Sequence, residues 1–204
     1  LAANRIDPGS SVMILDYAAT RIYPDGTRIG LTHQISRVLS KEGKIEVGEI
    51  YLPKTASLLK VRTIKDGTFE IVEPESIDFK DSITAPNLDV GDYVEIEYLT
   101  FDPKMSSVSS RAITDIFLYG SDQSPIVRSE FVYEYPRDWN IETIINDPYF
   151  LIKKSCEPHG EFIRCTAKRE DITVYLPEPH SVSHMDVIPN LQITHLYDWD
   201  FVRK

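Results

Sequence analysis

Apolar and polar residues alternate with a period of two along most of this chain, and the recurrence every three to four residues that marks an amphipathic helix is almost absent. SVMILDYAATRIY (11–23) reads as a first strand with Met13, Leu15, Tyr17 and Ala19 on one side. Pro24-Asp25-Gly26 then turns the chain, since proline presets φ and glycine accepts a positive φ. In RIYPDGTRIGLTHQIS (21–36) the next strand sets Ile29, Leu31 and Ile35 against Arg28, Thr32, Gln34 and Ser36. Its polar side is expected to face solvent, as in a sheet covered on one face.

The alternation continues. SKEGK (40–44) reads as a reversal into a strand KIEVGEIYLP that Pro53 stops. LLKVRTI and FEIV are joined by Lys65-Asp66-Gly67, which repeats the Asp-Gly-Thr of the first turn and suggests a second hairpin built alike. DYVEIEYLTF aligns Val94, Ile96 and Tyr98; AITDIFLY follows; IVRSEFVYEYP aligns Val127, Phe131, Tyr133 and Tyr135. YFLIKKSC and EFIRCTAKR form a pair, and ITVYLP comes last. The expectation is an all-β fold, an antiparallel β-sandwich of about ten short strands. At most one or two short helices are expected, over DWNIETIIND (138–147) and the terminal YDWDFVRK. The polar DPKMSSVSSR (102–111) reads as a loop and a place for a ligand.

Composition narrows this only a little. The 204 residues suit one large β domain or two small ones. Apolar residues at 42% and charged residues at 26% are ordinary for a globular protein. A net charge of −10 repels phosphate backbones, so nucleic acid is not an expected partner. No apolar run approaches the roughly 20 residues of a membrane span, and LAANRIDPGSS lacks the layout of a signal peptide.

The order of elements resembles a known family. LDYAATRIYPDGTRIGLTHQISRVLSKEGKIEVGEIYLP, LLKVRTIKDGTFEIVEP, APNLDVGDYVEIEY and SPIVRSEFVYEYPRDW are similar to a bacterial domain family of unknown function that precedes transglutaminase-like domains in envelope or secreted proteins. IPNLQITHLYDWDFVRK resembles the passage from that β domain into the first helix of the next. The resemblance implies an accessory β-sandwich over residues 1–190, and a linker and the start of a transglutaminase-like domain over 191–204. It implies a periplasmic, envelope or secreted location. It also implies that this fragment is not itself an enzyme, while the longer protein is transglutaminase-like or cysteine-protease-like. Its cysteine, histidine and aspartate would then follow Lys204, and the following domain would be the module's first partner.

Candidate chemistry within the fragment is sparse. Cys156 and Cys165 lie in SCEPHGEFIRCT. A two-residue turn at Gly160-Glu161 sets His159 opposite Phe162, Pro158 opposite Ile163, Glu157 opposite Arg164, and Cys156 opposite Cys165 at a non-hydrogen-bonded position, where a disulfide fits. A cross-strand disulfide is favoured over a Cys156–His159 nucleophile pair. His180, His184 and Asp186 could meet a metal if they lay on a strand, but Pro177, Pro179 and Pro189 mark a loop, so neither metal nor cofactor is expected. Glu95 and Glu97 share the face opposite Val94, Ile96 and Tyr98, which reads as a solvent face. His33 lies on an apolar face, as a hydrogen-bonded core histidine or a partner at a sheet edge. An aromatic platform at Trp139 and Tyr149 would support the alternative of a stand-alone module binding a glycan or a protein, and with His180 and His184 these are the residues placed to face a ligand.

Overall fold

The computed structural model describes residues 9–73, 82–103, 114–175 and 187–195. Its framework is a sheet of eight strands: β1 (Ser11–Ile22), β2 (Arg28–Val38), β4 (Ala56–Ile64), β5 (Ile71–Val72), β7 (Tyr93–Asp102), β9 (Ile126–Pro136), β11 (Lys153–His159) and β12 (Phe162–Ile172). Their spatial order is β11-β12-β9-β1-β2-β7-β4-β5. A three-stranded sheet runs β10 (Ile141–Asn146), β13 (Asn190–His195), β8 (Thr114–Leu118). A ribbon of β3 (Glu49–Ile50) and β6 (Ile83–Thr84), with helix α1 (Lys41–Gly48), completes the described elements. The fold is all-β and sandwich-like, with mostly antiparallel pairing, as the alternation predicts. The exception is the parallel pair of β1 and β9.

Both covers lie on the same face of the large sheet. Ile22, Phe131, Tyr133, Cys165 and Ala167 pack with Tyr119, Trp139, Leu191 and Ile193 to form one core. Val38, Val61 and Val94 pack with Ile50, Ala85 and Leu88 to form a second. Burial of such side chains contributes roughly 1.5–3 kcal/mol each and dominates the stabilisation. Two of the motifs that carry the resemblance meet here. The buried Asp92 of LDVGDY accepts from the backbone amides of Asp66 (2.9 Å) and Asp89 (2.8 Å) and pairs with Lys65 of the KDG turn. Those residues build a corner, and their role is architectural.

The structure corrects several local expectations. Register shifts between Met13 and Leu15, so Met13 joins the covered face while Leu15, Tyr17 and Ala19 fall on the other. The polar side of β2 therefore points under the sheet, toward the gap between the two cores, and its apolar side points outward. Gln34 donates to Asp16 (3.2 Å), which also accepts from the buried Ser129 (2.9 Å), while Ile29 is 36% exposed. SKEGKIEV is not a turn and strand but α1. Ser40 caps it by accepting from the Gly43 amide (3.2 Å), and Gly43 lets the helix press on Ser10, whose carbonyl would lie 2.0 Å from an added Cβ.

Residues 138–147 hold a strand, β10, because Ile141, Ile144 and Ile145 are β-branched and β13 supplies a ladder. β13 lies beyond the expected boundary at 190, yet Leu191 and Ile193 are fully buried, so the sandwich extends to His195. ITVYLP adds little strand, since β12 ends at Ile172. On β9, Ile126 enters the core in place of Val127, near Asp171 with its φ of 53°. The terminal YDWDFVRK and most of the 102–111 loop lie outside the described residues.

Candidate functional site: the uncovered face of the large sheet

Nothing among the described residues covers the outward face of the large sheet. Register places Tyr17, Ala19 and Arg21 of β1 beside His33, Leu31 and Ile29 of β2. Those in turn lie beside Glu97, Leu99 and Phe101 of β7. On the other side, β9 contributes Glu130, Val132 and Glu134, and β12 contributes Lys168, Thr166 and Arg164. A central apolar row of Val132, Ala19, Leu31 and Leu99 therefore crosses the strands, flanked by charged rows.

Two carboxylates organise those rows. Glu95 is 4% exposed and is contacted by Arg62, by His33 Nε2 at 2.9 Å and by Lys60 Nζ at 3.5 Å. Burial alone would raise its carboxyl, but hydrogen bonds from Arg62 and His33 and the charges of Arg62 and Lys60 hold it below the ordinary range. Glu134 is contacted by Arg21, by Arg164 Nε at 2.6 Å and by His159 Nδ1 at 2.9 Å. Burial again opposes ionisation, and Arg164 and Arg21 reverse it, so this carboxyl is also held low. The Glu134 side chain is 7% exposed against 41% for Arg21 and 38% for Arg164, so guanidinium is what this centre presents to solvent. Arg21 also lies 5.2 Å from the centre of the Phe162 ring. Beside it is a hollow of about 520 Å³ lined by residues including Tyr17, Leu31, Val132, Glu157 and Thr166.

This arrangement suits recognition. Both carboxyls are held ionised, so neither is poised as a general acid, and Cys156 and Cys165 are joined in a disulfide. The expectation that Glu95 points to open solvent fails, because cationic neighbours cover it. Finding either centre from the sequence requires cross-strand register, and the one legible cue is the set of alternate cations Lys60 and Arg62.

The other expected site residues fall elsewhere. Cys156 and Cys165 stand opposite each other at the counted register, 4.0 Å apart at Cα, and form a disulfide; Gly160 has the φ of 63° that the turn requires. Trp139 is no platform: it is 5% exposed, in the first core, because its amide folds back to the Pro136 carbonyl (3.0 Å). Tyr149 is 74% exposed and far from being packed. His33 is bonded as expected, in a central strand. His180, His184 and Asp186 lie outside the described residues; among those described, no three His, Cys, Asp or Glu side chains come together to hold a metal ion. No helix among them is long and apolar enough to cross a membrane.

No family model matches the chain, and no curated protein matches it. Among solved structures, the chain is similar to a protein from Parabacteroides distasonis proposed to be a protease. The TM-score is 0.74 at 12% identity, over 91% of this chain and 40% of that one. The likeness is one of fold. This chain spans less than half the length of that protein.

Proposed function

We propose that the chain is a non-catalytic β-sandwich module that stands N-terminal to a transglutaminase-like domain in a bacterial envelope or secreted protein, where it positions that domain or recruits its substrate. The observation that carries this reading is the coverage: nearly all of this chain matches 40% of a much longer protein proposed to be a protease. The motif order from strand 1 to LDVGDY supports it, as does the open face, whose paired charges and apolar row suit contact with protein. The disulfide agrees with an oxidising compartment. A stand-alone module binding a protein is the second reading, favoured by the exposed Tyr149-Phe150-Leu151 run. The glycan-platform form of that alternative loses its tryptophan to the core.

The reading frame beyond the Lys204 codon tests the proposal. It is expected to encode a helical segment bearing a cysteine, followed by a histidine and an aspartate. A frame that stops there, or continues into a domain without such a set, would remove the link to acyl transfer.

A further inference from the structure

The loop between β10 and β11 is fixed at both ends and turns its apolar residues outward. The buried Asp147 carboxylate accepts from the amides of Tyr149 (3.3 Å) and Ile152 (2.7 Å). The Asp147 carbonyl accepts from the Phe150 amide (3.1 Å), and Ile152 enters the first core. Between these anchors Phe150 sits at a φ of 56°, a region that is costly for a bulky residue. Packing does not require the ring there: Phe150 is 90% exposed, with Tyr149 at 74% and Leu151 at 50%. A glycine would hold the same turn without strain.

Basic residues stand beside this tip. Lys153 and Lys154 follow it directly, and at a strand rise of about 3.3 Å per residue they begin within about 10 Å of Leu151. Lys168 lies directly opposite Lys153 in the β11–β12 register, and all three lysines are exposed. Like charges that face each other across strands oppose pairing, so the sheet does not explain them either. The acids nearby offset them in part. Glu130, beside Lys168, pairs with Arg128, which Glu170 of β12 also faces, and Asp171 follows. Along residues 128–130, 153–154 and 168–171, five cations meet three carboxylates, in a chain of net charge −10.

The shape of the tip and its charge identify the partner. A protruding apolar turn has no walls to grip a small ligand. Aromatic rings beside lysines match a bilayer interface, where rings sit at headgroup depth and ammonium groups meet phosphates.

We propose that the Tyr149-Phe150-Leu151 tip inserts into the headgroup region of an anionic lipid bilayer, with Lys153, Lys154 and Lys168 against the lipid phosphates. The hold is peripheral and reversible. The chain's overall negative charge opposes it weakly, because charges farther than about 8 Å from the surface are screened at physiological salt. The site goes beyond the reading that an enzyme domain follows, and its failure would leave that reading standing.

Co-flotation of the chain with lipid vesicles tests the site. The chain should float with vesicles of phosphatidylcholine and phosphatidylglycerol in equal parts, and bind about tenfold less to phosphatidylcholine alone. Phe150→Gly keeps the turn and should lower the affinity by about tenfold without lowering Tm. Leu151→Ser serves in its place if that variant does not fold. Lys153→Gln/Lys168→Gln should also lower the affinity by about tenfold or more. Phe150→Trp should add emission that shifts to shorter wavelength on binding and is quenched by lipids brominated along the acyl chain, against a background from the buried Trp139 that does not change. No flotation, equal affinity for phosphatidylcholine alone, unchanged affinity in the folded variants, or Phe150→Trp emission that neither shifts nor is quenched would overturn the proposal. Binding to polyglutamate but not to vesicles would also overturn it, and would give the corner to an acidic protein.

Discussion

Among single residues, the half-buried Asp16 and the buried Glu95 and Glu134 respond to their surroundings in opposite senses. Asp16 is raised by burial, against the opposing hydrogen bonds from Gln34 and Ser129, so the folded protein binds its proton more tightly than the unfolded chain does. Stability then falls as pH rises from about 3.9 toward the higher folded value. Asp16→Asn keeps a shape that can bond to both neighbours, and it should stabilise the protein increasingly from pH 3.5 to 7, by about 1 kcal/mol at the upper end. Glu134 and Glu95 are held low, so their contribution is complete above about pH 4.5 and disappears as pH falls through the lower folded value. Glu134→Gln should therefore cost about 1–2 kcal/mol at pH 7 and progressively less below pH 4.5. Thermal melts of both variants across pH 3–7 check this, and parallel pH profiles for the two would contradict it.

At the scale of elements, the β11–β12 hairpin shows what local rules can reach. A two-residue turn on Gly160 fixes register, and register fixes the disulfide, so both are legible in SCEPHGEFIRCT. The bridge joins residues only nine apart, yet it ties to the sheet an edge strand that pairs only with β12 among the described residues. Replacing Cys156 and Cys165 by serine should cost about 2–3 kcal/mol in urea unfolding, since a short closed loop still restricts the unfolded chain. It should also speed hydrogen exchange across Lys153–His159 first, while β9 stays protected. Elements that depended on distant partners were not legible. The one-residue bulge near Ile14 exchanges the faces of β1 and, through it, the meaning of β2, and alternation alone carries no sign of it. DWNIETIIND could have been a short helix until β13 supplied its ladder. KEGKIEV became α1 because a serine cap and the close approach at Gly43 outweigh its weak helical pattern. Likewise the buried Trp139 is placed by a turn after Pro136, and Glu95 and Glu134 are joined to their arginines only across strands.

For the molecule as a whole, one broad sheet is covered on one face by two cores and, among the described residues, bears no cover on the other. That outward face carries ionised, cation-capped carboxylates and an apolar row. We propose that this module serves a catalytic domain without supplying chemistry. The decisive experiment assays the longer protein for amine incorporation and peptide hydrolysis, intact and with residues 1–195 removed, alongside the isolated module. No turnover is expected from the module alone. Truncation should leave kcat on a small glutamine peptide within about threefold while KM for a protein substrate rises by about tenfold or more, because only binding shared by ground and transition states is lost. Turnover by the isolated module, or a truncated protein whose KM for the protein substrate is unchanged, would contradict it.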